Sequence, residues 1–250
     1  MNNRNKYNFD LIADGYNNYH SAHNNFCQII SNHFEIQNDT TLIDIGCGTG
    51  NETINLFQSF KCRIIGIEPA CEMVKIGKIN EVKIDWKVGS AEDLPFKNNS
   101  VDIITSFFSI HHFDSIDLSF QEFNRVLKPN GKIFIFSISH SQMRSSLEYK
   151  FFPDLLYADL MRVPSIYSLN EKLSTYNFAT TVIVTDYELR KVDKLYLEMV
   201  KNQYRSGLRL LNQEQLKLGI ELIEKSIIKN EHLIDNIKCT VLIARKLCNR

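Results

Sequence analysis

The run Leu42-Ile43-Asp44-Ile45-Gly46-Cys47-Gly48-Thr49-Gly50-Asn51 limits what this chain can fold into more than any other. Four residues suited to a buried strand lead straight into three glycines at alternate positions. Behind them Thr53, Leu56, Phe57 and Phe60 recur at helical spacing. Glycines in such a turn let the backbone take φ/ψ values closed to other residues, and let a ligand approach without meeting a Cβ atom. A strand, glycine loop and helix in this order belong to a parallel sheet with its ligand crevice at the strand ends.

The rest of the first half keeps that rhythm. Strands are expected at Thr41–Ile45, Arg63–Ile67, Ile84–Val88, Val101–Ser106 and Lys132–Ser137, with helical segments between them. Ile116, Phe120, Phe123 and Leu127 form one apolar helix face behind a capping residue at Asp114 or Ser115. Pro129-Asn130-Gly131 predicts the turn into the fifth strand. Beyond Ser139 the pattern loosens. Ser168…Glu171 reads as a capping box opening a short helix, and Thr180–Thr185 as a strand. Tyr187 to Glu231 reads as helical, with a second start at Asn212…Gln215, and Cys239–Ala244 as the last strand. The expected fold is α/β: a doubly wound, Rossmann-like seven-stranded sheet, mostly parallel with an antiparallel last strand, plus helical lid insertions. Residues 1–250 read as one domain. Its parts are a lead-in at 1–38, a cofactor core at 39–138, lid insertions at 139–166 and 187–232, and remaining helix and sheet at 167–186 and 233–246.

The loop also discriminates between nucleotides. Its spacing is GxGxG, with Asn51 where a dinucleotide fingerprint would place a third glycine. Glu68 ends the next strand, where a carboxylate accepts hydrogen bonds from both ribose hydroxyls. Asp44 precedes the loop; a carboxylate there repels a pyrophosphate but suits a ligand carrying an α-ammonium group and a sulfonium. S-adenosylmethionine has both.

With these residues the chain resembles the class I methyltransferases. Asp44-Ile45-Gly46-Cys47-Gly48-Thr49-Gly50 resembles their first motif, and Ile65-Gly66-Ile67-Glu68-Pro69 the acidic second one. Gly89-Ser90-Ala91-Glu92-Asp93-Leu94-Pro95-Phe96 resembles the segment flanking adenine, and Val101–Ser106 with Ile110-His111-His112-Phe113 the fourth strand and its exit. Glu122 to Lys132 matches the approach to the fifth strand. The nearest flavour is the small-molecule subgroup that includes ubiquinone- and menaquinone-type enzymes. The resemblance implies S-adenosyl-L-methionine as cofactor and S-adenosyl-L-homocysteine as product. It implies cofactor contacts from Asp44, Gly46, Cys47, Gly48, Gly50, Asn51, Glu68, Pro69, Met73, Ser90, Ala91, Glu92 and Ser106. Ser90 stands where the family often has an Asp that accepts from the adenine amino group, and Glu92 can share that role.

Methyl transfer is an in-line displacement at an activated carbon, so the protein mainly aligns the nucleophile and excludes water. A base is needed only when the acceptor must lose a proton. His111 is the candidate, with a packing role for His111 and His112 as the alternative. Tyr16, Tyr19 and His20, with His112, are candidates for lining the acceptor pocket, because an aromatic at the place of Tyr16 commonly closes over the cofactor in this family; the alternative is an amphipathic helix whose aromatics only pack on the domain. Tyr149, Phe151, Phe152, Tyr157, Tyr196 and Tyr204 either line a lid or cement the insertions. Arg205 and Arg209 read as surface charge, with binding of an acidic acceptor as the alternative.

Twenty-nine basic and twenty-nine acidic residues cancel, which disfavours a broad grip on nucleic acid. No apolar run approaches the roughly 18 residues of a membrane span, and scattered cysteines without zinc spacing read as reduced thiols of a cytoplasmic protein. No metal is expected. The leading expectation is therefore a methyltransferase acting on an O, N or C atom of a small molecule, as monomer or homodimer. The alternatives are a tRNA or protein methyltransferase, or a cofactor-binding regulatory subunit without catalysis.

Overall fold

The computed structural model describes residues 8–19 and 22–248. A 3-10 turn at Phe9–Ile12 leads into α1 (Ala13–Tyr16) and α2 (Asn24–His33). Then come β1 (Thr41–Ile45), α3 (Asn51–Ser59), β2 (Arg63–Glu68), α4 (Cys71–Asn80) and β3 (Asp85–Val88). Next are β4 (Val101–Phe107), a second 3-10 turn at Ile110–His112, α5 (Ile116–Val126) and β5 (Leu127–Ser137). The chain continues through α6 (His140–Ser145), α7 (Glu148–Phe151), α8 (Pro153–Arg162) and α9 (Ile166–Thr175). It closes with β6 (Phe178–Lys191), α10 (Lys194–Lys201), α11 (Gln213–Ile228) and β7 (Ile234–Lys246).

Among the described residues seven strands form one sheet in the order β3-β2-β1-β4-β5-β7-β6. The pairings β1–β2, β1–β4, β2–β3 and β4–β5 are parallel, and the last strands are antiparallel. The expected fold class is the observed one. Ile43 stands beside Ile65 on one side and Ile104 on the other. Leu42 to Ile45 are all buried, as they must be in a central strand covered on both faces. The strand order reverses between β1 and β4, and the glycine loop leaves β1 at that reversal. In open α/β sheets this is where ligands bind.

The chain forms two compact units. The first runs to Ser137 and takes up Ile166–Ile183 and the chain from Val241. Its core joins Ile43, Ile65 and Ile104 of the sheet to Phe120, Phe123 and Val126 of α5 and to Leu169 and Leu173 of α9. Ser115 caps α5 by accepting from the Leu118 N–H at 3.3 Å.

The second unit comprises Ile138–Ser165 and Val184–Thr240. At its centre are two buried carboxylates, Glu148 and Asp159. Glu148 accepts from the Tyr204 hydroxyl at 2.8 Å and pairs with Arg205. Asp159 accepts from the Tyr149 hydroxyl at 2.9 Å and from Arg162 at 2.7 Å, and also pairs with Arg205. Arg205 is therefore no surface charge. Its planar fork joins two carboxylates that would otherwise be stranded away from water. Tyr149, Tyr196 and Tyr204 are buried around this network, whereas Tyr157 is 73% exposed.

Three sequence expectations need correction. The helix expected at Ser168 starts at Ile166, so Ser168 lies inside α9 and its box opens nothing. Tyr187 to Lys191 continue β6, and the helical stretch beyond is broken into α10, a 3-10 turn and α11. Pro129-Asn130-Gly131 falls within β5, with Asn130 at φ +65°. The Asn212…Gln215 box is present, each side chain accepting from the other residue's N–H.

Candidate functional site

Gly46, Gly48 and Gly50 have φ of +69°, +55° and +89°, the left-handed region that side chains disfavour. The N–H groups of Gly46 and Cys47 donate to the Ile67 carbonyl at 2.8 and 3.1 Å, which stitches the loop to the end of β2. What lies beside Gly50 and Gly48 is different. A Cβ on Gly50 would stand 2.1 Å from the Trp86 ring. Trp86 is buried, donates its indole N–H to the Glu81 carbonyl at 2.8 Å, and also fills the space beside Gly66 and Gly77. A Cβ on Gly48 would meet nothing nearer than the Tyr16 ring edge, at 4.0 Å. Gly50 thus makes room for protein, while a side chain on Gly48 would touch only the edge of the Tyr16 ring.

Two carboxylates support the loop. Asp44 is buried, and its oxygens accept from the Thr53 hydroxyl at 2.6 Å and the Thr105 hydroxyl at 2.9 Å. It braces β1 against α3 and β4 from beneath. Glu68, at the tip of β2, accepts from the Gly48 N–H and the Ala70 N–H, each at 3.0 Å. Each Glu68 oxygen retains lone pairs for a further donor. Burial pushes the Glu68 carboxyl above its ordinary range, and pushes Asp44 up to about 7 against the pull of the two threonines.

The Asp44 shift has a sign that can be tested. Unfolded, this carboxyl ionises near its ordinary value; folded, it holds its proton to about pH 7. Between those values the folded state binds more protons, so this group's effect on stability falls as pH rises and levels off above the folded value. Asp44→Asn removes the titration and keeps an acceptor. The difference in unfolding free energy between wild type and this variant should change by on the order of 3 kcal/mol across that window, in the variant's favour at the alkaline end. Urea unfolding of both proteins at several pH values measures it.

The remaining sequence-derived residues fall around this loop or beside it. Asn51 opens α3, Met73 and Ala91 are buried, and Pro69 is exposed. The Cys47 thiol is pushed well up by burial and stays neutral. The Ser106 hydroxyl lies 2.7 Å from that of Ser109, which donates to the Ile45 carbonyl at 2.8 Å and so ties the exit of β4 to that of β1. Ser90 pairs with Asp93 in an isolated bridge. Glu92 accepts from the Ser115 N–H at 3.1 Å and the Ser119 hydroxyl at 3.3 Å, so it holds the start of α5. His111 and His112 share the turn after β4 with ring centroids 4.0 Å apart, and Phe9 meets His112 edge-on at 4.9 Å. Tyr19 is half-buried, and His20 lies outside the described residues. Among the described residues no group of His, Cys, Asp or Glu could hold a metal ion. No helix there is long and apolar enough to cross a membrane.

Comparison with known proteins fits this geometry. Residues 43–135 match the model of a methyltransferase domain family. Over that stretch the chain is similar to methyltransferase domains. Over 99 residues it is 35% identical to the "Ubiquinone/menaquinone biosynthesis C-methyltransferase UbiE" of Rubrivivax gelatinosus, a match covering 39% of each chain. The chain spans about two fifths to one half of the length of the curated relatives it matches. Among solved structures, a chain from Anabaena variabilis provisionally assigned as a methyltransferase from an antibiotic biosynthesis pathway superposes with a TM-score of 0.74 at 23% identity. It covers 89% of this chain and 97% of that one. The geranyl diphosphate C-methyltransferase of Streptomyces coelicolor superposes with a TM-score of 0.55 at 17% identity, covering 90% of this chain and 79% of that one. At these identities the two structures speak for the fold alone.

Several residues that support the loop escape a reading of motifs. Asn17 accepts from Thr49 and, at 3.2 Å, from Asn51, while Asp10 accepts from the Glu72 N–H at 2.8 Å. These contacts fasten the lead-in to the first turns of α3 and α4. The His23 ring nitrogen Nδ1 lies 2.7 Å from Glu52, which fastens the start of α2 to α3. Trp86 is the chain's one tryptophan. Its only sequence signal is that a large ring on β3 must find glycines to pack on.

Proposed function

We propose that this chain is an S-adenosylmethionine-dependent methyltransferase acting on an O, N or C atom of a small-molecule acceptor. The observation that carries the reading is the bare backbone of Gly48, where a Cβ would meet only the Tyr16 ring edge at 4.0 Å and whose N–H donates to the Glu68 carboxylate. The residues fit the cofactor: a backbone without side chain for close approach and a buried carboxylate with spare lone pairs for ribose hydroxyls, with Met73, buried in the first turn of α4, the candidate to pack on adenine. S-adenosylmethionine supplies, when bound, a methyl group already activated on a sulfonium.

The chain's own residues do the rest. Glu68 fixes the ribose through charge-assisted hydrogen bonds. Asp44, held by Thr53 and Thr105, keeps the loop in position so that binding requires little rearrangement. Tyr16 shields the reacting face from water. Where the acceptor must lose a proton, His111 takes it, and His112 lines the acceptor side. The small-molecule acceptor rests on the likeness to a quinone C-methyltransferase, whose printed substrate class supplies the first compounds to assay.

Trp86 against Gly50 provides a reporter. Titration of S-adenosylhomocysteine should change its emission saturably and release heat, with a Kd on the order of micromolar. Glu68→Gln should weaken that binding about 30-fold or more, since it replaces a charged acceptor by a neutral one. Absence of heat and of any emission change in wild type rejects the reading, as does unaltered binding by Glu68→Gln.

A further inference from the structure

We propose that His23 is the anion anchor of the site, pairing with the α-carboxylate of S-adenosylmethionine while Glu52 holds its ring in place; this rests on the cofactor reading above. The carboxylate is the one part of that ligand still without a partner. The ligand carries two positive charges and one negative, and the loop is acidic. Burial raises the Asp44 carboxyl, and the charges of Glu52 and Glu68 add to that shift. Such surroundings suit the sulfonium and the ammonium group but repel a carboxylate. A cation must therefore come from outside the loop.

His23 meets that need. Its backbone N–H donates to both Glu52 oxygens, at 3.1 and 3.3 Å, and its ring Nδ1 lies 2.7 Å from Oε1. An ionised carboxylate only accepts, so Nδ1 carries a proton; with Nε2 protonated as well, the imidazolium donates to a second anion. The two side chains are 20% and 13% exposed, fixed by packing yet open to a ligand. The elements also put His23 at the matching end of the site. Across the crevice the sheet runs β3-β2-β1-β4. Glu68, for the ribose, ends β2, and Met73, for adenine, lies on α4, which leads on to β3. An extended ligand then carries its amino-acid end towards β1 and β4. Glu52 is in the first turn of α3, directly after the loop. Phe26, in the first turn of α2, packs on Phe107 of β4 and Phe136 of β5, with ring centroids 5.6 and 4.4 Å apart. His23 is thus pinned between the helix after β1 and the end of β4, on the side away from adenine.

Two ligands that differ by one group test this: S-adenosylmethionine and its decarboxylated form, which keeps the sulfonium and the amine. In calorimetric titrations of the full chain, wild type should bind S-adenosylmethionine about tenfold or more tightly than the decarboxylated form. His23→Gln keeps the backbone contact with Glu52 and removes the charge. In this variant the preference should fall about tenfold, while affinity for the decarboxylated ligand stays within about threefold of wild type. His23→Arg retains a cation and should keep the preference to within about threefold. A wild type indifferent to the carboxylate overturns the proposal, whatever the variants' stability. So does a His23→Gln protein that keeps the full preference, or one that loses both ligands alike, as a purely structural contact would. Failure of wild type to bind either ligand rejects the cofactor reading itself, and this proposal with it.

Discussion

Gly48→Ala and Gly50→Ala, two residues apart in one loop, should fail in opposite ways. The Gly50 variant pushes a methyl group to within 2.1 Å of the Trp86 ring, at a φ of +89°. That ring cannot retreat, because Gly66 and Gly77 give it no further room and its N–H is bound to Glu81. Overpacking together with left-handed strain should cost about 3 kcal/mol or more, roughly 6–12 °C in Tm for a chain of this size. The Gly48 variant meets no protein atom closer than 4.0 Å and should lose only about 1 kcal/mol to its φ. Its methyl group, however, stands in the space assigned to the cofactor, and affinity for S-adenosylhomocysteine should fall about 100-fold or more. Melting curves and calorimetric titrations of both variants separate the two roles. Normal ligand binding by a folded Gly48→Ala protein contradicts the placement of the cofactor.

The second large effect is expected in the other unit. Arg205→Met should destabilise the protein by about 3 kcal/mol. Glu148 and Asp159 would each lose their strongest counter-charge while remaining 1% and 0% exposed. Arg162 and Tyr149 still serve Asp159, and Tyr204 still serves Glu148, which keeps the loss below that of two wholly stranded charges. Arg205→Lys should recover only part of it, because an ammonium group lacks the fork that spans both carboxylates. Chemical denaturation of the three proteins gives the ranking. Equal midpoints for wild type and Arg205→Met would show that the network is not holding this unit together.

These two sites also show how far the amino-acid order can be read. The glycine loop, β1 to β4 and the start of α11 were legible because each is written in a few adjacent residues: an apolar run, a turn residue, a capping pair. The full lengths of β6 and β7 are not. Thr180–Thr185 and the buried Cys239–Ala244 read as strands, but the ends of both are exposed or half-buried for the most part, and Tyr187 to Lys191 carry no apolar face to mark them as strand. Arg205 read as surface charge because its partners lie 46 and 57 positions away. Trp86 is silent in the sequence for the same reason: its role depends on Gly50, Gly66 and Gly77 meeting around one ring, which spacing along the chain does not encode. At the candidate site, chemistry that depends on residue type is readable. Support assembled by tertiary packing, such as Thr105 on Asp44 or Asn17 on Thr49, was not.

The lead-in fastened by Asp10 and Asn17 has a thermodynamic corollary. From Asn8 to Asn17 it buries Ala13 alone, and it leans on the helices at α3 and α4 through a few polar contacts. Detaching so little apolar area is far less costly than disturbing the sheet, so this segment belongs to the low-energy end of the molecule's opening hierarchy. Solute can exchange over Gly48 by peeling back ten residues, and every strand keeps its register while that happens.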